Sequence, residues 1–237
     1  MQSIKQFYIL GIPIQIPNIG SAHFVRISDM PEFTLLQNIL TINKDKIISM
    51  YKQQNTDEEA IDYFTNHISL YQWIINIPEV KESYLQLFYF IFKEDVFDKV
   101  NDDNFEYLRQ LIMEMNCIKE EKINPNPEIQ KWIDKSKKFK QGNEILTFED
   151  IVTSIAVGTG YTYEYINNLT LYQFNLTFQR ISAFKSYDTS TLFSTVSSEK
   201  INIESWCKNI DLFKEESNGV SRDEFNKLKG SVFGGGR

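Results

Sequence analysis

Two periodicities divide the chain. In residues 7–17 the apolar Tyr8, Leu10, Ile12, Ile14 and Ile16 alternate with their neighbours, the period of a strand. Pro13 removes a ladder donor and suits an edge strand or a bulge. Asn18, Ile19 and Gly20 read as a turn, and residues 23–27 as a second strand. An N-terminal hairpin follows, open to solvent on one side. Two strands alone are marginal, so the helices after them must support them. From residue 28 the spacing turns helical. Ser28 or Asp29 can cap a helix with Pro31 in its first turn, carrying Phe33, Leu36 and Leu40 on one side. Thr41 or Asn43 restarts a helix through Ile47, Ile48 and Tyr51. Asp57, Glu58 and Glu59 suit the next start, where carboxylates meet the dipole. Ile61, Phe64, Ile68, Tyr71 and Ile75 continue it until Ile77 and Pro78 stop it.

Residues 79–92 form another apolar helix, with Tyr84, Leu85, Phe88, Tyr89 and Phe92. Asn101, Asp102 and Asp103 cap a helix over residues 105–117. Asn124-Pro125-Asn126-Pro127 is the clearest punctuation, because residues before proline avoid the helical region. Residues 128–140 then hold Lys131, Lys135, Lys137, Lys138 and Lys140 against Asp134. This basic run reads as a solvated amphipathic segment or linker, or as a docking surface for an acidic partner.

Residues 146–185 predict helix, glycine turn, short helix, threonine cap and long helix. Thr147 caps the first, with Asp150 three residues on, and Ile151, Val152, Ile155 and Ala156 supply its apolar face. Gly158 and Gly160 allow the turn. Residues 161–166 form a short aromatic helix. Thr170 caps the last helix and Gln173 completes the capping box. Leu171, Phe174, Phe178 and Ile181 fall on one stripe. A small, well-buried subdomain is expected. Residues 186–198, rich in Ser and Thr, read as a loop or irregular arm, and residues 201–213 as a last short helix. Residues 221–228 suit one or two helical turns. The glycines at the end predict a flexible tail.

The fold class is therefore mainly α-helical (α+β) with a small N-terminal β-hairpin. The expected organisation is a hairpin plus helical domain over residues 1–123, a Pro/Lys-rich linker over 124–142, a helical subdomain over 143–213 and a tail over 214–237. With 237 residues, 42% of them hydrophobic and 18 Phe and 12 Tyr among them, the chain can build ring clusters in a sizeable core. Lys and Arg total 25 against 32 Asp and Glu, a formal net charge of -7, which argues against a chain built to neutralise phosphates. No stretch reaches 18 uncharged apolar residues, so no membrane span is expected. Two cysteines, Cys117 and Cys207, cannot make a disulfide scaffold, and the N-terminus lacks signal-peptide character. A cytoplasmic protein is the default.

Candidate chemistry is sparse. His23 and His67 stand in no metal-ligand spacing. The cysteines form no CxxC. Gly158 and Gly160 follow a helix rather than a strand, and no lysine closes a phosphate loop. Asp57 to Glu59 and the Asp102–Asp103 pair are explained by capping. No cofactor, no metal and no catalytic set is expected, and the chain reads as a binder rather than an enzyme. Residues 147–185 also resemble a helix-turn-helix in outline. Asn175, Gln179, Arg180 and Lys185 could address bases, but Phe174, Leu176 and Phe178 crowd the same helix in an acidic chain.

The segments YILGIPIQI and GSAHFVRISDMPEF near the start, with LTFEDIVTSIAVGTGYTYEYINNLTLYQFNLTFQRI later, resemble the tail assembly chaperones of long-tailed phages and prophages of Gram-positive bacteria. The matching motifs are G-x-P-I at residues 11–14 and D-x-x-E-F at 29–33. The others are Leu-Thr-Phe-Glu-Asp at 146–150 and L-T-x-x-Q-F at 169–174. Residues 55–124 match nothing in that pattern. The resemblance implies a non-enzymatic protein of the host cytoplasm that binds the tape measure protein, assists recruitment of tail tube subunits and is absent from the mature virion. It also implies a longer frameshifted form, for which Gly234–Gly236 would suit the junction. A structural virion protein of the tail or neck is the alternative, and a DNA-binding helix-turn-helix protein another. Candidate partner-binding residues are Phe174 and Phe178, on the side of their helix not used in its own core, and Lys131, Lys135 and Lys138 of the basic run. Self-association is open.

Overall fold

The computed structural model describes residues 2–53, 58–120, 123–124, 129–131, 146–198 and 201–213. The fold is mainly α-helical with one small antiparallel hairpin near its start. Helix α1 (Gln2–Leu10) precedes strands β1 (Ile14–Ile16) and β2 (Gly20–Ala22), paired Ile14 to Ala22 and Ile16 to Gly20. There follow α2 (Met30–Leu36), α3 (Lys44–Gln53), α4 (Glu58–His67), α5 (Leu70–Ile75), α6 (Pro78–Phe92) and α7 (Phe105–Met115). Beyond the basic run come α8 (Phe148–Thr159), α9 (Tyr163–Asn168) and α10 (Leu171–Val196).

The core is built around α6 and α7. Tyr84, Leu87, Phe88, Ile91 and Phe92 of α6 and Phe105, Leu108, Ile112 and Met115 of α7 are buried. Their rings are close-set: Tyr84 meets Phe105 edge-on at 5.2 Å, and Phe88 stacks on Phe92 at 5.7 Å. Ile155, Ile166, Leu169, Leu171, Tyr172 and Phe174 join the same cluster, so the later helices complete the core of the earlier ones. Tyr8 of α1 sits at this seam, with Phe24 at 5.4 Å and Tyr172 at 5.3 Å, both edge-on.

Several sequence expectations change. The period-two stretch at residues 7–17 is a helix up to Leu10, closed by Gly11 at φ 64°, and only Ile14–Ile16 is strand. Docking of Tyr8 against Tyr172 decides this, leaving Phe7, Ile9 and Leu10 exposed. The second strand lies earlier than residues 23–27, whose backbone instead ties distant elements together. His23 N–H donates to Ile91 C=O, Val25 N–H to Asn116 Oδ1 and Ile27 N–H to Leu169 C=O, while Val25 C=O accepts from Leu171 N–H. The helix expected to run from Glu58 to Ile75 breaks at Ser69, which caps α5 in a box with Gln72. Pro78 starts α6 rather than only stopping its predecessor, since proline lacks the N–H that the first turn leaves unpaired.

Residues 186–198 are not an arm: α10 runs unbroken to Val196. Its hydroxyls are absorbed by the helix, Ser194 Oγ on Thr191 C=O and Thr195 Oγ1 on Leu192 C=O. Residues 201–213 are not a helix but an irregular strap. Arg180 Nη1 donates to the carbonyls of Trp206 and Lys208, Trp206 meets Phe184 at 5.4 Å, and Leu212 and Phe213 reach the core. The expectations for residues 125–128, 132–145 and 214–237, the glycine tail and the turns at 221–228 included, lie outside the described residues.

Candidate partner-binding surfaces

The segment joining α8, α9 and α10 is set by three threonine caps. Thr147 Oγ1 accepts from Asp150 N–H, Thr162 Oγ1 from Tyr165 N–H and Thr170 Oγ1 from Gln173 N–H. Asp150 returns the bond to Thr147 N–H at 2.9 Å, and this holds its carboxyl below the ordinary carboxylate range. Gln173 Oε1 accepts from Thr170 N–H, and its Nε2 donates to Ile9 C=O in α1. Between α8 and α9, Gly160 takes φ 76°, the left-handed C-cap that glycine enters without strain. Gly158 lies within α8, where a Cβ would come within 2.9 Å of Ile181 Cγ2, so α8 and α10 are in close contact there. The unit is less buried than its sequence suggests. Val157, Tyr161, Tyr163 and Tyr165 are exposed, with Tyr161 and Tyr165 in ring contact at 4.4 Å.

Among the described residues, the most fully buried charged group is Arg109. Its guanidinium is fully buried and donates to Glu106, Glu120 and Leu40 C=O at 2.7–2.8 Å. Burial works against its charge, but the hydrogen bond to Glu120 and the nearby Glu106 outweigh this and keep its pKa above the ordinary value. Arg109 forms part of the wall of a cleft of about 620 Å³ with Asp45, Tyr71, Asp102, Glu106 and Glu120. No histidine or cysteine lines it. Burial pushes the Cys117 thiol up to about 12, so at neutral pH it is not a thiolate nucleophile. Cys207 is exposed beside Ser205, and the exposed His67 lies against Tyr63. Among the described residues no group of three or more His, Cys, Asp or Glu could hold a metal ion. No described helix is long and apolar enough to cross a membrane.

Of the residues proposed for partner binding, Phe174 is buried in the core beside Phe148, and Phe178 packs half-buried against it. Neither offers a free ring. Lys131 is exposed and helical, and Lys135 and Lys138 lie outside the described residues. A base-reading role for α10 finds Arg180 already donating to the strap and Asn175 donating to Leu171 C=O. The exposed apolar surface of α10 lies further on, at Leu192, Phe193 and Val196. Sequence reading missed it because a run of Ser and Thr favours loops. The signal was there in the spacing, since Leu192 and Val196 continue the stripe of Phe174, Phe178 and Ile181.

Two of the stretches that carry the resemblance, at residues 11–14 and 169–174, meet in space. A Cβ on Gly11 of the first would lie 3.0 Å from Thr170 Cγ2 of the last, and Arg26, just before the stretch at residues 29–33, bridges Thr170 in antiparallel fashion. Family comparison matches residues 2–125 to the YomV N-terminal domain and residues 134–211 to the YomV second domain. The chain is 35% identical over 240 aligned positions to the SPbeta prophage-derived uncharacterized protein YomV of Bacillus subtilis (strain 168), covering 99% of this chain and 100% of that one. No solved structure matches. With both of its modules matched and a full-length prophage relative, this phage- or prophage-associated chain belongs to the YomV family.

Proposed function

We propose that this protein is a non-enzymatic tail assembly chaperone that binds the tape measure protein and assists recruitment of tail tube subunits in the host cytoplasm. One observation carries the reading: motifs that resemble those chaperones stand far apart in sequence, yet join at one seam where Gly11 and Ile9 meet Thr170 and Gln173. The prophage origin of the relative fits that setting. The surface chemistry is also that of a binder. Exposed rings and aliphatic side chains can give affinity by burial without a reacting group.

The test compares two samples from a phage or lysogen that carries the gene. A tagged copy in lysate should co-purify with the tape measure protein, and mass spectrometry of purified particles should find the chain missing or nearly so. Stoichiometric recovery in mature particles would replace the chaperone with a structural virion protein. Failure to capture any tail protein from lysate would remove both phage-tail roles.

A further inference from the structure

One face of α10 is already occupied by an irregular stretch of the same chain. The strap at residues 201–213 runs back against the direction of the helix. Trp206 meets Phe184 edge-on at 5.4 Å, and Arg180, one turn earlier on α10, donates through Nη1 to the carbonyls of Trp206 and Lys208. Burial, Cys117 and then Asp211 hold the Tyr172 phenol above its ordinary range, so Asp211 lies near Tyr172, about two turns earlier again. Leu212 and Phe213 close the strap against the core. Positions 184, 180 and 172 of the helix thus meet residues 206, 206–208 and 211 in order, over about 18 Å of its axis.

The strap is held as a peptide is held. Residues 202–209 are all exposed, and Trp206 and its ring partner Phe184 are each 40% exposed. Arg180 binds backbone carbonyls, which any peptide offers, and Phe184 asks for one aromatic side chain. Lys185 Nζ stands 6.0 Å from the Phe184 ring, so the rim is basic on this side and suits carbonyl oxygens. Other bonds of the strap close on itself: Lys208 pairs with Glu204, its N–H donates to Ser205 C=O, and Phe213 N–H donates to Asp211 Oδ1. A segment with exposed backbone and few buried side chains opens easily while the helices stay formed. Opening would bare the Phe184 ring and release the Arg180 guanidinium beside it.

We propose that this face of α10 is a peptide-binding groove in which residues 206–213 are a resident, autoinhibitory occupant. A non-helical segment of a partner protein displaces them by offering an aromatic residue to Phe184, two carbonyls to Arg180 and an apolar pair about six positions after the aromatic one. A tethered strap competes at an effective concentration on the order of millimolar. A free peptide of this chemistry therefore binds weakly to the native chain and well to a chain whose strap is impaired.

The probe is a fluorescent peptide of residues 201–213 carrying Cys207→Ser, titrated against the full-length protein by anisotropy. Trp206→Ala in the protein weakens its own strap and leaves the groove intact, so this variant should bind the peptide at least about tenfold more tightly than the native chain. Adding Arg180→Ala should lower that affinity at least about tenfold, as should alanine in place of the peptide's tryptophan. Helicity and melting temperature of the Trp206→Ala protein should match the native values. Equal affinity of the native and Trp206→Ala proteins overturns the proposal. So does binding that is indifferent to Arg180→Ala, or that a scrambled peptide of the same composition reproduces. A large fall in melting temperature with Trp206→Ala also overturns it, because the strap is then part of the core. No tail protein enters this experiment, so its outcome is separate from capture of the tape measure protein.

Discussion

A guanidinium shut off from water holds three stretches of chain together: Glu106 one turn before it, Glu120 after α7 and the carbonyl of Leu40. Removing Arg109 leaves these acceptors facing a cavity beside Tyr84. Arg109→Ala is expected to cost about 3 kcal/mol in denaturant unfolding, since breaking a buried pair strands its partner. Arg109→Lys should recover little, because one ammonium cannot span the same three acceptors. An effect below about 1 kcal/mol would mean that Glu106 and Glu120, both partly exposed, simply turn to water. The sequence did not reveal this residue. Arg109 lies in an amphipathic helix where charge normally marks the wet face, and its partners include a backbone carbonyl 69 positions away.

Helix starts were the most legible elements, because a cap is a local bargain between one side chain and the N–H three residues on. Thr147 with Asp150 and Thr170 with Gln173 stand as their spacing predicts. Elements decided by distant partners were not legible. Helix α1 looked like a strand until Tyr172 was set against Tyr8, and the end of α10 looked like a loop because its hydroxyls could have bonded elsewhere. Thr170 separates the two kinds of cause within one residue. Its hydroxyl caps α10, whereas its methyl lies against Gly11. Thr170→Val should lose about 1 kcal/mol for the cap. Thr170→Ser should lose about 0.8 kcal/mol for the methyl. Urea unfolding of both variants checks this, and a Thr170→Val value near zero would place the start of the helix under the control of Gln173 alone.

At the scale of the molecule, two family modules share one core. The expected consequence is a single unfolding transition rather than two, followed by circular dichroism and tyrosine absorbance together. The same experiment has a pH arm. Burial, then Glu114, holds the Tyr8 phenol well above its ordinary range, and burial does the same to Tyr84 against the pull of Arg109. Unfolded tyrosine ionises near pH 10. Above about that pH the unfolded chain binds fewer protons than the folded one, so stability should fall as pH rises. Below it these two groups contribute no slope. Phenolate absorbance from Tyr8 and Tyr84 should appear only with unfolding. Ionisation of all tyrosines while the helices stay intact would refute the burial.

The seam between α1 and α10 also sets a timetable for the chain as it is made. Tyr8 has its ring partner at Tyr172, Ile9 C=O receives Gln173 and Val25 C=O receives Leu171. A ribosome adding about 5–20 residues per second synthesises the first partners many seconds before the second. During that interval α1 and the segment around Val25 and Ile27 lack these late partners. Soluble yield is therefore expected to fall when translation outpaces folding of the early segment, and to rise when synthesis is slowed at low temperature, more than the finished stability would suggest.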